Sequence, residues 1–425
     1  MFTRALKILP LLSILLVAQQ AQDPAATARK ALDLLLAGSY PEFLQMSTAD
    51  VQKGIPLPEL TKLGTGIKGY GAVEKISDPQ VMKSGPNTIA TFPVKFANQS
   101  INFRIVINSS GMVAGIFQLP GAVNWTRPEY SKPDTFKERD VTVGEGEWKL
   151  PGTLTLPNGA GPFPAAVLVH GSGPNDRDET VGGAKVFKDL AEGLASRGIA
   201  VLRYEKRTRQ YGARVAAIKD FSVEQETVED AVKAAALLRT LPEIDAKKVF
   251  VIGHSLGGYI APRIAEQDGK LAGMVLMAAN VRPLEDLLVE QAQYLGATGT
   301  PLENAKVMQA KVKKLETGDE DNPSLGGVPV SYWIDLKGYN PAVLAKTLTI
   351  PILILQGERD YQVTMTDFGM WKSAVGTQKG VVMKSYPPLN HLFIAGEGKS
   401  LPAEYNKPGH VAPQVIADIA AFIKP

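Results

Sequence analysis

Apolar and polar positions change their spacing along this chain, and the change divides it into two regions. In residues 22–119, an alanine- and leucine-rich stretch with helical spacing, Ala25–Leu36, precedes segments in which apolar and polar residues alternate. The clearest of these segments is Ser100–Ile107, which a turn at Asn108–Gly111 connects to a second strand, Met112–Gln118. The spacing therefore predicts a small α+β domain over 22–119 that contains a β-hairpin.

From residue 140 onward, short apolar segments alternate with segments of helical length. Such alternation predicts an α/β domain, residues 140–425, with a mainly parallel sheet covered by helices on both faces. Residues 120–139 are rich in proline, glycine and polar side chains, which is typical of a linker. Besides an antiparallel opening pair at Val141–Leu156, the strands and helices that we predict are Ala165–Val169, Val186–Arg197, Ile199–Arg203, Val223–Leu241, Leu271–Ala278, Ile350–Leu355, Val381–Tyr386 and Ala412–Phe422.

The segment Val249–Gly258 joins an apolar strand to a helix through a Gly-x-Ser-x-Gly turn centred on Ser255. Such a turn holds its serine at a sharp, strained corner, where the flanking glycines let neighbouring backbone pass closely. The unpaired amides at the start of the following helix can stabilise an oxyanion that forms at this point. The motif therefore predicts acyl transfer with Ser255 as the nucleophile.

A serine nucleophile needs a base, and a histidine base needs a carboxylate that fixes its tautomer. His391 follows the last predicted strand, so we expect its loop to lie at the same sheet edge as Ser255; His410, before the closing helix, is the alternative. Asp360 leaves the strand at Ile350–Leu355 and is the predicted acid, with Glu358 as the alternative. The chain order of serine, aspartate and histidine is that of α/β-hydrolases.

The oxyanion hole needs two backbone donors. One is the amide of Leu256, directly after the nucleophile. For the second we predict the amide of Ser172, in the glycine-containing loop after the strand Ala165–Val169, with Gly173 as the alternative.

Residues 281–348 form an insertion too long for a simple crossover, with helical runs at Leu284–Leu295 and Glu303–Leu315. Ligands bind at the carboxyl edge of such sheets, and the insertion follows a strand that ends there. We interpret it as a cap over the active site; a surface insertion without that role is the alternative.

Composition narrows the class of protein. The chain has 425 residues, of which 44% are hydrophobic and 21% are charged, as in ordinary globular proteins. Its formal net charge of +3 falls to +1 (3 − 2) without Arg4 and Lys7, and the charges are interspersed, so nothing in the sequence indicates a nucleic-acid-binding surface. For the basic cluster Arg203–Arg209 we favour a solvated loop over an anionic-ligand site. The absence of cysteine excludes disulfides and thiolate metal ligands.

Residues 1–21 are typical of a secretory signal peptide, with basic Arg4 and Lys7 before the apolar run Ile8–Ala18. We therefore expect an exported protein, periplasmic or secreted, without an integral membrane domain once the signal is removed. Cleavage after Ala21 leaves Gln19 at a position that favours small residues, so an uncleaved anchor is the alternative.

These motifs together resemble the α/β-hydrolase superfamily, and more closely a branch of exported bacterial esterases related to serine-aminopeptidase-like hydrolases. The resemblance covers Asp140–Pro425 and is carried by His170–Asp178, Gly253–Gly258 with Ala261-Pro262, Gly357–Asp360 and Asn390–Phe393. It implies hydrolysis of small-molecule carboxylic esters without a cofactor or metal, and a capped acyl pocket. The N-terminal region is similar to small domains of unknown function that precede some of these esterases.

Two other functions remain open at this point. The same triad would serve a peptidase or amidase, or the fold could belong to a catalytically idle protein that binds envelope components. The sequence does not indicate the natural substrate or the oligomeric state.

Overall fold

The computed structural model describes residues 23–97, 100–120, 125–215, 217–316, 318, 325 and 328–425. The predicted signal peptide, residues 1–21, lies outside the described residues. The chain forms two compact units that divide after Ala122. Among the described residues, no helix combines the length and the apolar character that crossing a membrane requires.

The smaller unit packs helices against an antiparallel sheet. Its helices are α1 (Pro24–Ala37), α2 (Tyr40–Gln45), α3 (Ala49–Gly54) and α4 (Leu57–Lys68), and its strands are β1 (Val73–Ile76), β2 (Gln80–Ser84), β3 (Asn87–Phe96), β4 (Ser100–Ile107) and β5 (Val113–Pro120). The hairpin predicted from the alternating pattern is β4–β5. Alternate residues of β4 are buried, including Phe103 and Ile105, because one sheet face packs against α1.

The larger unit is built on a mixed sheet. Its strands in this sheet are β6 (Phe136–Val143), β7 (Leu150–Pro157), β8 (Phe163–Val169), β11 (Ala200–Tyr204), β12 (Ile244–His254), β13 (Gly273–Met277), β14 (Ile352–Gly357) and β15 (Val381–Tyr386). A separate small hairpin consists of β9 (Thr180–Val181) and β10 (Ala184–Lys185). In the described part of the chain the sheet order is β6-β7-β11-β8-β12-β13-β14-β15, with only the pairs β6–β7 and β7–β11 antiparallel.

Helices cover both faces of this sheet. The helices described in the larger unit are α5 (Val186–Ala195), α6 (Arg207–Val215), α7 (Glu229–Thr240), α8 (Leu256–Asp268), α9 (Leu284–Tyr294), α10 (Thr300–Lys314), α11 (Val330–Leu336), α12 (Pro341–Thr347), α13 (Met365–Val375) and α14 (Pro413–Ile423). One core layer joins the sheet to α7, α8, α12 and α13, and a second joins the other face to α5 and α14. This arrangement confirms the predicted fold class.

The strand order indicates at which edge of the sheet a ligand can bind. The chain leaves β8 toward β11 on one side and returns to β12 on the other side, so the connections after β8 and β12 diverge. Ligands bind at such a switch point, outside the carboxyl ends of the strands. The loop that begins at His170 and the turn at Ser255 both lie there.

Two segments differ from the sequence-based boundaries. Residues 125–139, assigned above to the linker, lie in the larger unit: β6 begins at Phe136, and the Trp125 indole donates to Asp189 of α5 over 2.8 Å. The insertion at 281–348 contains α11 and α12 in addition to the expected α9 and α10. Both extra helices are short, and their apolar side chains join the core beneath them.

Candidate active site

Ser255 occupies a strained turn between β12 and α8. Its backbone lies at φ 53° and ψ −118°, outside the regions that side-chain-bearing residues usually adopt. A side chain at Gly257 would overlap the carbonyl oxygen of Val169, and one at Gly253 would overlap that of Gly257. The two glycines are therefore required by close backbone approach, and the turn presents Ser255 as the motif predicts.

Asp360 and His391 form a buried pair beside this turn. His391 Nδ1 lies 2.7 Å from Asp360 Oδ2, and the two side chains are 5% and 0% exposed. The other carboxylate oxygen accepts the backbone N–H groups of Gln362 (2.8 Å) and Val363 (3.0 Å), which fixes the carboxylate. Because Nδ1–H of His391 donates to Asp360, the neutral ring has its lone pair on Nε2.

The alternative base, His410, and the alternative acid, Glu358, do not lie with Ser255. His410 lies elsewhere, with Nδ1 3.2 Å from both carboxylate oxygens of Asp189 on α5. Glu358 is exposed and accepts a hydrogen bond of 2.8 Å from the Ser385 hydroxyl. His391 and Asp360 are thus the histidine and acid that lie with Ser255.

Ser172, Ser255 and Leu256 line a common cavity. The loop that carries Ser172 is held by its neighbours: Lys206 Nζ donates to the Gly171 carbonyl over 2.8 Å, and Asn175 Nδ2 donates to the carbonyls of Gly171 and Ser172 over 3.1 Å each. Leu256 opens α8, so its amide belongs to the helix terminus that favours an anion. The arrangement can stabilise an oxyanion on a group bound to Ser255.

Two comparisons with known proteins are decisive at this point. Residues 180–397 match the model of the serine aminopeptidase S33 hydrolases. Over 393 residues, covering 92% of this chain and 92% of the relative, the chain is 38% identical to Esterase EstD of Thermotoga maritima. The chain belongs to the serine aminopeptidase S33 family of α/β-hydrolases. Residues 28–116 match a second model, that of a protein family of unknown function (DUF3887), as the N-terminal resemblance implied.

Solved structures with a similar layout include other hydrolases. An esterase of Pyrococcus furiosus is 16% identical, with a TM-score of 0.45, and the match covers 72% of this chain and 96% of that one. A puromycin-hydrolysing peptidase of Mycobacterium tuberculosis is also 16% identical, with a TM-score of 0.44, and the match covers 81% of this chain and 47% of that one.

A buried ion pair of this α/β-hydrolase connects three parts of the site, and the sequence alone did not reveal it. His254 Nδ1 lies 3.0 Å from Glu179 Oε2, and His254 Nε2 lies 2.9 Å from the carbonyl oxygen of His391. The other oxygen of Glu179 accepts the N–H of Gly171 over 2.7 Å. The pair therefore joins the Ser172 loop, the Ser255 turn and the His391 loop.

Each member of this buried pair favours the charged form of the other. Burial disfavours charge on each group, but the Glu179 carboxylate raises the pKa of His254 above its usual value, and the His254 imidazolium in turn lowers the pKa of Glu179. Glu179 also lies at a positive φ of 46°, in a loop whose conformation its side-chain contacts hold.

The basic cluster Arg203–Arg209 is not the solvated loop that we predicted. Arg203, Lys206 and Arg207 are each at most 3% exposed. Their acidic partners are Asp178 and Glu138 for Arg203, Glu226 for Lys206, and Asp230 and Glu229 for Arg207. The sequence prediction was wrong because these partners come from distant segments, which pair the cations and make their burial possible.

Among the described residues, no group of three or more His, Cys, Asp or Glu side chains is arranged to hold a metal ion.

Proposed function

We propose that this α/β-hydrolase cleaves carboxylic esters through Ser255, His391 and Asp360, with an acyl-enzyme intermediate. The observation that carries the proposal is that His391, oriented by Asp360, lines the same cavity as the strained Ser255. The relative 38% identical over nearly the full length is an esterase by name, which supports ester substrates.

The proposed mechanism has two steps. His391 Nε2 takes the Ser255 proton as Oγ attacks the ester carbonyl carbon, and the amides of Ser172 and Leu256 donate to the developing oxyanion. The intermediate collapses as His391 returns the proton to the departing alcohol. Water then attacks the acyl-enzyme by the same route, with His391 as base and then acid, and releases the carboxylic acid and free Ser255.

The test is hydrolysis of p-nitrophenyl esters, from acetate to long acyl chains, by the wild type and Ser255→Ala. We expect kcat to fall by at least about 10⁴-fold in the variant, because the nucleophile is removed. The control is Ser373→Ala, which removes an exposed hydroxyl on α13. Full turnover by Ser255→Ala would refute the assignment of the nucleophile.

A peptidase or amidase with the same residues is the second candidate, because the matching family model is described as a serine aminopeptidase. An amide requires a proton donor to a poorer leaving group, so paired p-nitrophenyl ester and p-nitroanilide substrates with the same acyl group separate the two functions. We expect faster turnover of the ester in each pair by a margin larger than the intrinsic difference in reactivity. An idle binding protein would hydrolyse neither and would not react with a fluorophosphonate.

We also propose that the protein is exported, on the basis of the basic and apolar pattern of residues 1–21. N-terminal sequencing of the protein recovered from the periplasm or medium tests this. A cytosolic protein that retains Met1 would contradict it.

A further inference from the structure

Lys206 is a buried cation that contacts the loop of Ser172 at two points. It lies between β11 and α6 and is 1% exposed. Its backbone N–H donates to the carbonyl of Asn175 over 3.2 Å, and its Nζ donates to the carbonyl of Gly171 over 2.8 Å. Burying an ammonium is costly unless the charge is paired and hydrogen-bonded, so these partners are needed where they lie. Lys206 therefore holds the loop from Gly171 to Asn175 at both of its ends.

The contact with Gly171 orients the amide of Ser172. The carbonyl of Gly171 and the N–H of Ser172 belong to one trans peptide unit, in which the two groups point in opposite directions. An ammonium bound to the carbonyl therefore turns the N–H away from Lys206. Gly171 lies directly against the nucleophile, because a Cβ atom at this glycine would be 3.2 Å from Cβ of Ser255. The peptide that Lys206 holds is thus the one that supplies an oxyanion donor in the proposed mechanism.

The charge of Lys206 also makes the Ser172 amide a better donor. Hydrogen bonds in series polarise one another, most strongly where the surroundings have a low dielectric constant. Asn175 Nδ2 donates to the same Gly171 carbonyl over 3.1 Å, but its amide is neutral. A hydrogen bond from an ion is roughly twice as strong as a neutral one, so the ammonium is the main influence on this peptide.

Glu226 connects Lys206 to the insertion. Its Oε2 lies 3.3 Å from Lys206 Nζ and accepts the hydroxyl of Tyr332, on helix α11, over 2.7 Å. Its Oε1 accepts the Thr208 hydroxyl over 3.1 Å. Glu226 and Tyr332 are 6% and 7% exposed, so solvent screens these contacts little. A continuous series of buried polar contacts thus runs from α11 through Glu226 and Lys206 to Gly171.

The backbone around Glu226 is irregular at this point. Residues Glu224–Val228 form a turn of π-helix directly before α7. Such turns are rare and occur frequently at functional sites. The Ser331 hydroxyl of α11 donates to the Phe221 carbonyl over 2.7 Å, which is a second contact between the insertion and the segment before α7. Helix α11 is therefore bound to the segment that presents Glu226 to Lys206.

We propose that Lys206, Glu226 and Tyr332 are positioning residues for the oxyanion hole. The inference rests on the proposed esterase function and adds the control of its site. Lys206 keeps the Ser172 amide in its donating orientation, and Glu226 and Tyr332 make this orientation depend on the packing of α11. The insertion therefore affects the chemical step as well as lining the cavity at Ser255.

The first experiment removes the ion pair as a unit. Lys206→Met combined with Glu226→Gln keeps both side-chain lengths and leaves no buried charge without its partner. With p-nitrophenyl acetate, we expect kcat to fall by about 100-fold and KM to change by less than about threefold, because a misplaced oxyanion donor weakens binding of the transition state. Lys384→Met, at an exposed lysine of β15, is the control.

A trifluoromethyl ketone separates positioning from stability. Ser255 Oγ bonds to its carbonyl carbon as the Ser255 proton passes to His391, and the electron pair of the broken C=O π bond leaves an oxyanion in the hole. The corresponding carbinol has no carbonyl group and cannot form this adduct. Per titrated active enzyme, we expect the Ki of the ketone to rise by about 100-fold, in parallel with the fall in kcat, and the Ki of the carbinol to stay within about twofold. Loss of folded protein alone would change neither constant.

Tyr332→Phe tests the connection to the insertion. It removes one hydroxyl and leaves Lys206 paired with Glu226, so the fold has less to lose than in the double variant. We expect kcat to fall and the Ki of the ketone to rise by about 3- to 10-fold, because one of the contacts that hold Glu226 is lost. Tyr386→Phe, which removes a hydroxyl that donates to Asp418 over 2.8 Å, is the matched control.

The outcomes distinguish the steps of the argument. An unchanged kcat and ketone Ki in the double variant would overturn the role of Lys206, as would equal rises in Ki for the ketone and the carbinol. Unchanged constants in Tyr332→Phe would overturn the connection to α11. In each of these cases the esterase function would stand, whereas a wild type that hydrolyses no ester would overturn that function and this inference together.

Discussion

His391 and His410 each pair with a buried aspartate, yet the two pairs lie in different surroundings. Asp360, the partner of His391, gives its second oxygen to two backbone amides, and His391 faces the cavity of Ser255. Asp189, the partner of His410, instead accepts the Trp125 indole (2.8 Å) and the Val411 amide (2.9 Å). It thus joins the segment before β6 to the segment before α14.

The difference teaches that position in the sheet, and not the pairing itself, distinguishes the histidine that we propose as the base from the other one. The His391 pair lies after β14 and β15, at the carboxyl edge that Ser255 shares. The His410 pair lies in a separate cleft of about 650 Å³ lined by Tyr130 and Arg197. Burial raises the pKa of Asp189 in spite of its donors, which is consistent with a structural carboxyl group that connects segments.

Replacing each histidine by alanine should show the functional difference between the two pairs most clearly. We expect His391→Ala to lower kcat by at least about 10⁴-fold, because both proton transfers are lost, and His410→Ala to change kcat by less than about threefold. Steady-state kinetics with p-nitrophenyl acetate measure both values. Comparable losses in the two variants would show that the pairs are not functionally distinct.

The aspartates give the next largest effect. Asp360→Asn should lower kcat by about 10²- to 10⁴-fold, because an amide at this position no longer favours the tautomer with Nδ1–H. Asp189→Asn should leave kcat within about threefold but lower the thermal midpoint, because two neutral donors and His410 lose a carboxylate partner. Kinetics and thermal unfolding of the two variants, measured side by side, test this; a drop in kcat for Asp189→Asn at full stability would contradict it.

His170 adds to this comparison a buried histidine without an aspartate side chain as partner. Burial lowers its pKa to about 4 from the usual 6.5. The unfolded chain then binds a proton more readily than the folded one. The neutral, buried His170 therefore contributes to the free energy of unfolding above pH 6.5, and this contribution is lost as the pH falls toward 4. It amounts to about 3 kcal/mol, at ~1.4 kcal/mol for each pH step between the two pKa values.

Urea unfolding of the wild type and His170→Gln between pH 4 and pH 7 tests this contribution. The wild type should lose more free energy of unfolding across the interval than the variant. Equal losses would mean that folding does not lower the pKa of His170.

Much of the fold and the candidate nucleophile, acid and base follow from local patterns. The buried strands are continuous apolar runs, so β15 matches its predicted bounds and the neighbouring strands differ by a few residues. Ser255 is signalled by a five-residue motif, and Asp360 and His391 by their positions just after strands. These features depend on short-range sequence, which is why they can be read without the structure.

Other features depend on contacts between distant segments. Strands β9, β10 and β11 and helices α5, α6 and α7 lie between Glu179 and His254 in the chain. Nothing in the sequence around Glu179 distinguishes it from an ordinary carboxylate in a loop. Helices α11 and α12 have seven residues each, too few for a clear helical period. Packing against the rest of the unit, rather than local sequence, determines these features.

Among the substitutions in histidine–carboxylate pairs that are expected to lower kcat, one in the Glu179–His254 pair should have the smallest effect. It tests whether this pair positions the residues around His391. Glu179→Gln keeps an oxygen that can accept the Gly171 N–H but removes the charge beside His254. We expect kcat to fall by about 10- to 100-fold with little change in KM, because small displacements of the Ser172 loop and the His391 loop misalign the reacting groups. Glu358→Gln, at an exposed carboxylate, is the matched control. The rate constant for fluorophosphonate labelling of Ser255, measured per titrated active enzyme, should fall in parallel with kcat. Loss of folded protein alone would leave this rate constant unchanged. A change of twofold or less in kcat would show that the pair does not position the site.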